Sequence, residues 1–132
     1  MTLQVELVSP EKVVLDTEAT MVMARTLGGG DIAFMTGHAP FLGALATHTL
    51  TIFMSDGTQD VAAVHGGFIS VTNDHVRILS DMAELGSAID VARAEKARQS
   101  AEEAARAGTD VEAEAALRRA QARLSAAGVT GS

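Results

Sequence analysis

Glu84-Leu85-Gly86-Ser87-Ala88-Ile89-Asp90-Val91-Ala92-Arg93-Ala94 divides the chain into two kinds of sequence. Before it, short runs alternate apolar and polar at the two-residue period of strands; after it, alanine-rich sequence carries a helical period. Leu3-Gln4-Val5-Glu6-Leu7-Val8 is the clearest strand, closed by Ser9-Pro10. Further runs follow at Val13 to Leu15, Thr20 to Thr26, Leu42 to Ala46, Thr49 to Met54, Val61 to His65, Phe68 to Thr72 and His75 to Ser80. Ser55-Asp56-Gly57-Thr58 is a hairpin turn of the Asp-Gly kind. About nine short strands with regular turn signals predict an antiparallel β-sandwich or flattened barrel over residues 1–85.

Beyond the divide, fifteen of the forty residues from Ala88 to Ala127 are alanine, with no proline. That composition favours helix. Gly108 stops a first helix, and Thr109-Asp110-Val111-Glu112 reads as a Thr-x-x-Glu capping box opening a second. The expectation for residues 86–132 is an antiparallel two-helix hairpin, making the whole chain α+β. Ala94, Ala97, Ala101 and Ala104 would face Ala113, Leu117, Ala120, Leu124 and Ala127. Each alanine methyl contributes at most about 0.8 kcal/mol, whereas ordering costs about 1–2 kcal/mol per residue. Such a hairpin is lightly held and able to detach.

The 132 residues carry a net charge of −7 and contain no cysteine, tryptophan or tyrosine. Disulfides and thiolate metal sites are thereby excluded, and a nucleic-acid surface has neither the charge nor the rings it needs. Residues 1–85 hold ten Asp and Glu against three Lys and Arg, whereas residues 86–132 hold seven of each. No run reaches the length of a membrane-spanning helix, and Met1 to Glu6 lacks a signal peptide's basic-then-apolar start. A soluble, intracellular chain without direct membrane insertion is the expectation.

Gly28-Gly29-Gly30 invites comparison with a phosphate loop, but Asp31 puts an acid where phosphate would sit and strand-like residues follow. His38, His48, His65 and His75 have no metal-ligand spacing, so turn and surface roles are expected. On the second helix, Glu114 and Arg118 are spaced as an ion pair, as are Glu102 and Arg106 on the first. Arg119 and Arg123 lack acids at the usual partner positions. Antiparallel folding brings both arginines towards Asp90 and Arg93. Two readings stay open at this point, a solvated basic patch paired with Asp90 and Glu84, or an anion site. Three functional classes follow: a subunit of a larger assembly, a stand-alone small-ligand or nucleotide sensor on a β-sandwich, and a histidine-metal enzyme.

Val8-Ser9-Pro10-Glu11, Gly37-His38-Ala39-Pro40, Gly66-Gly67-Phe68, Ile89-Asp90-Val91-Ala92-Arg93-Ala94 and Ala122-Arg123-Leu124 together resemble the epsilon subunit of the F-type ATP synthase. The resemblance covers nearly the whole chain. It implies a non-enzymatic rotor subunit of the central stalk, peripheral on the cytoplasmic face of the cell membrane. Its partners would be the gamma subunit and the c-ring, with the alpha and beta catalytic subunits reached when the hairpin extends to inhibit ATP hydrolysis. It also implies a regulatory ATP, with no cofactor required, at Glu84, Asp90, Arg93, Ala94, Arg119 and Arg123. Some ATP-binding relatives carry a further arginine where this chain has Ser100.

Overall fold

The computed structural model describes residues 1–108 and 110–129. Ten strands precede two helices: β1 (Leu3–Val8), β2 (Val13–Ala19), β3 (Met21–Thr26), β4 (Gly30–Met35), β5 (Phe41–Ala44), β6 (Thr47–Phe53), β7 (Gln59–His65), β8 (Phe68–Thr72), β9 (His75–Leu79) and β10 (Ala83–Leu85). A single 3-10 turn (Gly86–Ala88) leads to α1 (Val91–Arg106) and α2 (Val111–Ala126). The strands form two separate five-stranded sheets, β2-β1-β9-β8-β5 and β10-β7-β6-β3-β4. They face each other as an open sandwich, so the flattened barrel does not close. Nor is the pairing wholly antiparallel, because β1 and β9 run parallel from Gln4–His75 to Val8–Leu79. The intervening strands supply the long crossover a parallel pair requires.

Period-two patterning explains the core. Leu3, Val5 and Leu7 point inward from β1, as do Leu50 and Ile52 from β6 and Val76 and Ile78 from β9. Two boundaries differ from the sequence expectation. Asp16-Thr17-Glu18 continues β2 where a stop was expected, because an edge strand solvates charged side chains readily. β10 is only three residues long, yet it extends the second sheet by pairing with β7.

The hairpin lies on the outer face of that second sheet. Val61 and Ala63 alternate with the core residues Ala62 and Val64, and they meet Ala122, Ala126 and Ile89. This second cluster is far smaller than the sandwich core. Helix α2 therefore has two buried rows: Ala113, Ala120 and Leu124 beside α1, and Ala122 and Ala126 over the sheet. The face of α1 is displaced from the expected one. Ala94 and Ala101 are buried, but Ala97 and Ala104 are exposed, while Arg98 and Ala105 are half-buried. Arg98 donates to Glu95 and, at 2.7 Å, to Glu102, so its charge is satisfied on α1 itself. Its stem can then lie along the inward row.

The cap of α2 also moves. Thr109 lies outside the described residues, and Asp110 is the N-cap, accepting from the Ala113 amide at 3.1 Å. At the other end Gly128 adopts φ +86°, and Val129 N donates to Leu124 O at 2.9 Å. That closes a Schellman motif. Among the described residues no helix is long and apolar enough to cross a membrane.

Candidate functional site

Three elements converge below the hairpin. β10 pairs antiparallel with β7, placing Glu84 opposite Ala63 and on the outer face. The 3-10 turn redirects the chain, and Asp90 caps α1 by accepting from the Arg93 amide at 3.1 Å. Arg93 and Ala94 thus occupy the first turn of α1. From the last turn of α2, Arg123 Nε donates to Glu84 Oε1 at 2.7 Å, and its terminal nitrogen lies 3.1 Å from Met82 Sδ. Together they border a cleft of about 400 Å³, lined by Met82, Glu84, Ala88, Ile89, Asp90, Arg93, Ala94, Ala97 and Arg123.

The charges in this cleft are unequally committed. Glu84 serves Arg123 and also lies 3.2 Å from His65 Nε2. Asp90 is partly used by its cap. The Arg93 side chain is exposed and forms no ion pair among the described residues. An entering anion therefore finds one open guanidinium, and a second if it displaces Glu84 from Arg123. Met82, Ile89 and the alanines add an apolar wall on which a flat ring can rest. None of the lining side chains is a hydroxyl, thiol, amine or imidazole. Its two carboxylates, Glu84 and Asp90, are both engaged, and its arginines and apolar wall suit the binding of an anion.

Of the six expected residues, Glu84, Asp90, Arg93, Ala94 and Arg123 come together here. Arg119 does not line the cleft; its guanidinium is held 2.8 Å from Glu112 Oε1. Four residues along a helix amount to about 6 Å, which sets Arg119 a full turn nearer the hairpin bend. Its partner lies seven residues back, two turns away, beyond the spacings weighed from sequence. Arg118 likewise forms no ion pair with Glu114. It borders a separate cavity of about 380 Å³ with Arg25, Thr47, His48, Thr49 and Gln121. Arg25 is itself tied to Asp31 at 2.9 Å, which holds that carboxyl below its ordinary pKa, mainly through the hydrogen bond.

Sequence reasoning missed Met82, Ile89, His65 and Gly86. The first two are ordinary apolar residues until the fold places them. Gly86 permits a close backbone approach to α2, since a Cβ there would stand 2.0 Å from Ala126 O. Among the described residues no three His, Asp or Glu side chains converge as metal ligands would.

Comparison with known proteins agrees with this two-part organisation. Residues 2–86 match the family model for the ATP synthase delta/epsilon chain beta-sandwich domain, and residues 87–128 match its long alpha-helix domain. The chain is 47% identical over 127 residues to an ATP synthase epsilon chain of Streptomyces griseus, covering 96% of each. It is 42% identical over 130 residues to the epsilon chain of Moorella thermoacetica, again with 96% of each covered. A chain in the mitochondrial ATP synthase of Euglena gracilis shares the fold with a TM-score of 0.82 at 23% identity, across 96% of this chain and 81% of that one. A central-stalk and c-ring structure from Tetrahymena thermophila contains a more distant likeness, with a TM-score of 0.55 at 16% identity over 71% of this chain and 70% of that chain. Sandwich and helices alike, this chain belongs to the ATP synthase delta/epsilon family, as one of its epsilon chains.

Proposed function

We propose that this epsilon chain is a non-catalytic rotor component of the central stalk, whose hairpin restrains ATP hydrolysis and is held down by ATP. The observation that carries the reading is the cleft shared by β10, α1 and α2, where Arg93 and Arg123 flank Asp90 and Ala94. A nucleotide there touches all three elements at once, so its binding energy adds to docking of the hairpin. Without it, the small Ala63–Ala122–Ala126 contact is the main apolar contact between α2 and the sheet. The released helices then extend towards the alpha and beta catalytic subunits. ATP is sensed and not cleaved: the two carboxylates of the lining are engaged, Glu84 by Arg123 and Asp90 by the Arg93 amide, which leaves neither free to position a water.

The partners gripped by the sandwich are the gamma subunit and the c-ring, and the chain sits peripherally at the cytoplasmic face of the membrane within the complex. Supporting this, the first sheet carries exposed apolar residues on the face turned away from the hairpin. Phe68 lies across from Leu79, with Leu42 nearby on β5. Leu42 is 74% exposed and Phe68 58%. A patch of this kind marks a docking surface.

Calorimetric titration of the full chain with ATP tests the site. Arg93→Ala is expected to weaken binding about tenfold to a hundredfold, the loss of one charge-assisted contact. Arg119→Ala should stay within about twofold of wild type, since that residue is engaged by Glu112. Equal losses for both variants, or none for Arg93→Ala, would rule out this cleft as the ATP site.

A further inference from the structure

His65 is on the outer face of β7 beneath α2, and the nucleotide reading makes no use of it. Strand parity puts it there, on the side of Val61 and Ala63. Its side chain is only 4% exposed. Nε2 lies 3.2 Å from Glu84 Oε1, the same oxygen that accepts from Arg123 Nε at 2.7 Å. One carboxylate oxygen therefore joins a sandwich imidazole to a hairpin guanidinium. Nδ1 is buried and has no hydrogen-bond partner among the described residues. A buried polar atom without a partner is a standing penalty, and protonating it adds an N–H with no acceptor.

We propose that His65 couples release of the hairpin to uptake of one proton, so that acidification through the ordinary histidine range loosens the docked helices. The proposal rests on the reading that the hairpin is releasable, and it adds a second input beside ATP. The groups facing the imidazole are few. β10 contributes Glu84, α2 contributes Arg123 and Arg119, and the cross-strand neighbour on β6 is Thr47, which does not titrate. Burial lowers the His65 pKa most, Arg123 lowers it further, Glu84 opposes them, and Arg119 adds a smaller depression. Release removes the cover and both arginines, leaving Glu84 beside a solvated ring.

The sign follows from linkage. The docked pKa is depressed, and the released ring returns to the ordinary value of about 6.5. Docking is therefore fully favoured above that value. It weakens by up to about tenfold per pH unit as pH falls below it, until the docked pKa is reached.

The test is amide hydrogen exchange of α2 in the full chain from pH 7.5 to 5.5, corrected for intrinsic exchange, with and without ATP. In wild type the opening equilibrium of the Ala120 to Ala126 amides should rise severalfold to about tenfold on acidification. In His65→Gln, whose amide can still donate to Glu84, the change should fall within about twofold. If both chains show the same pH profile while ATP still protects α2, the proton coupling is wrong and the releasable-hairpin reading stands. If α2 opens only together with the sandwich, whatever the pH or ATP, both are overturned.

Discussion

Gly86→Ala should lift the end of α2 from the second sheet while leaving the sandwich folded. The added Cβ would stand 2.0 Å from Ala126 O, 2.7 Å from Ala126 C and 3.1 Å from Val61 O. The first two contacts are backbone of α2, which no rotamer change relieves. The φ of Gly86 is not in the left-handed region, so strain in the turn is not the issue. The collision can be relieved by moving α2 outward, and little resists that movement. The apolar part of the interface consists of Ala63, Ala122 and Ala126 with Val61 and Ile89; polar residues of β6 and the Arg123–Glu84 pair complete it. Overpacking costs about 1–3 kcal/mol, which shifts docked against released helices by roughly fivefold to more than a hundredfold. Trypsin provides the readout, because Arg118, Arg119 and Arg123 all lie on α2. Cleavage there should accelerate by about fivefold or more, with the sandwich melting within a few degrees of wild type. Unchanged cleavage, or collapse of the whole chain, would contradict the account of this interface.

The other large effect belongs to Gly67→Ala, in the sandwich itself. Gly67 has φ +114° and sits where β8 leaves the turn to cross the end of β9. A Cβ there would lie 2.1 Å from Leu79 O and 2.8 Å from the Ser80 Cα. Two penalties combine, a backbone conformation that L-residues avoid and a collision with main chain. Together they should remove about 3–5 kcal/mol, a large part of the 5–15 kcal/mol that holds a typical domain. Thermal unfolding followed by circular dichroism should show a fall of about 10 °C or more. Gly57→Ala separates the two causes. Its φ of +87° imposes the backbone penalty, but nothing lies within 4 Å of the added methyl. A loss of only about 1–2 kcal/mol is expected there. Equal losses at both glycines would mean that close approach contributes nothing at Gly67.

Much of this architecture was legible because local chemistry dictated it. The alternation in Leu3 to Val8 fixed which side chains enter the core, and Asp56-Gly57 fixed the β6–β7 turn. There Gly57 takes φ +87° and Asp56 accepts from the Thr58 amide at 2.9 Å. The features that escaped are non-local. Pairing of β1 with β9 joins residues just over seventy positions apart, which no short-range pattern encodes. β10 owes its existence to β7, since three residues carry no readable period. The face of α1 was misjudged by about one position because alanine spacing is ambiguous when alanine is everywhere. Arg98, neutralised by two glutamates of its own helix, then outcompeted Ala97 for the inward row.

The candidate site divides the same way. Asp90, Arg93 and Ala94 were readable as the start of a helix, and Arg123 followed from antiparallel folding. Arg119 was not resolvable by that argument. Choosing between Arg119 and Arg123 requires knowing the helix register to within one turn, and alanine packing leaves it loose. His65 was expected at a turn or the surface, but β7, β10 and α2 enclose it.

Hydrogen exchange of the full chain with and without ATP tests most directly whether the nucleotide fastens the hairpin. At ATP tenfold above its dissociation constant, the docked state gains about 1.4 kcal/mol. Amides from Ala120 to Ala126 should then exchange about tenfold more slowly, while those of the edge strand β2 on the other sheet, which open by local fraying, keep their rates. Uniform slowing across the chain, or none on α2, would contradict the claim that ATP bound between Arg93 and Arg123 holds the helices down.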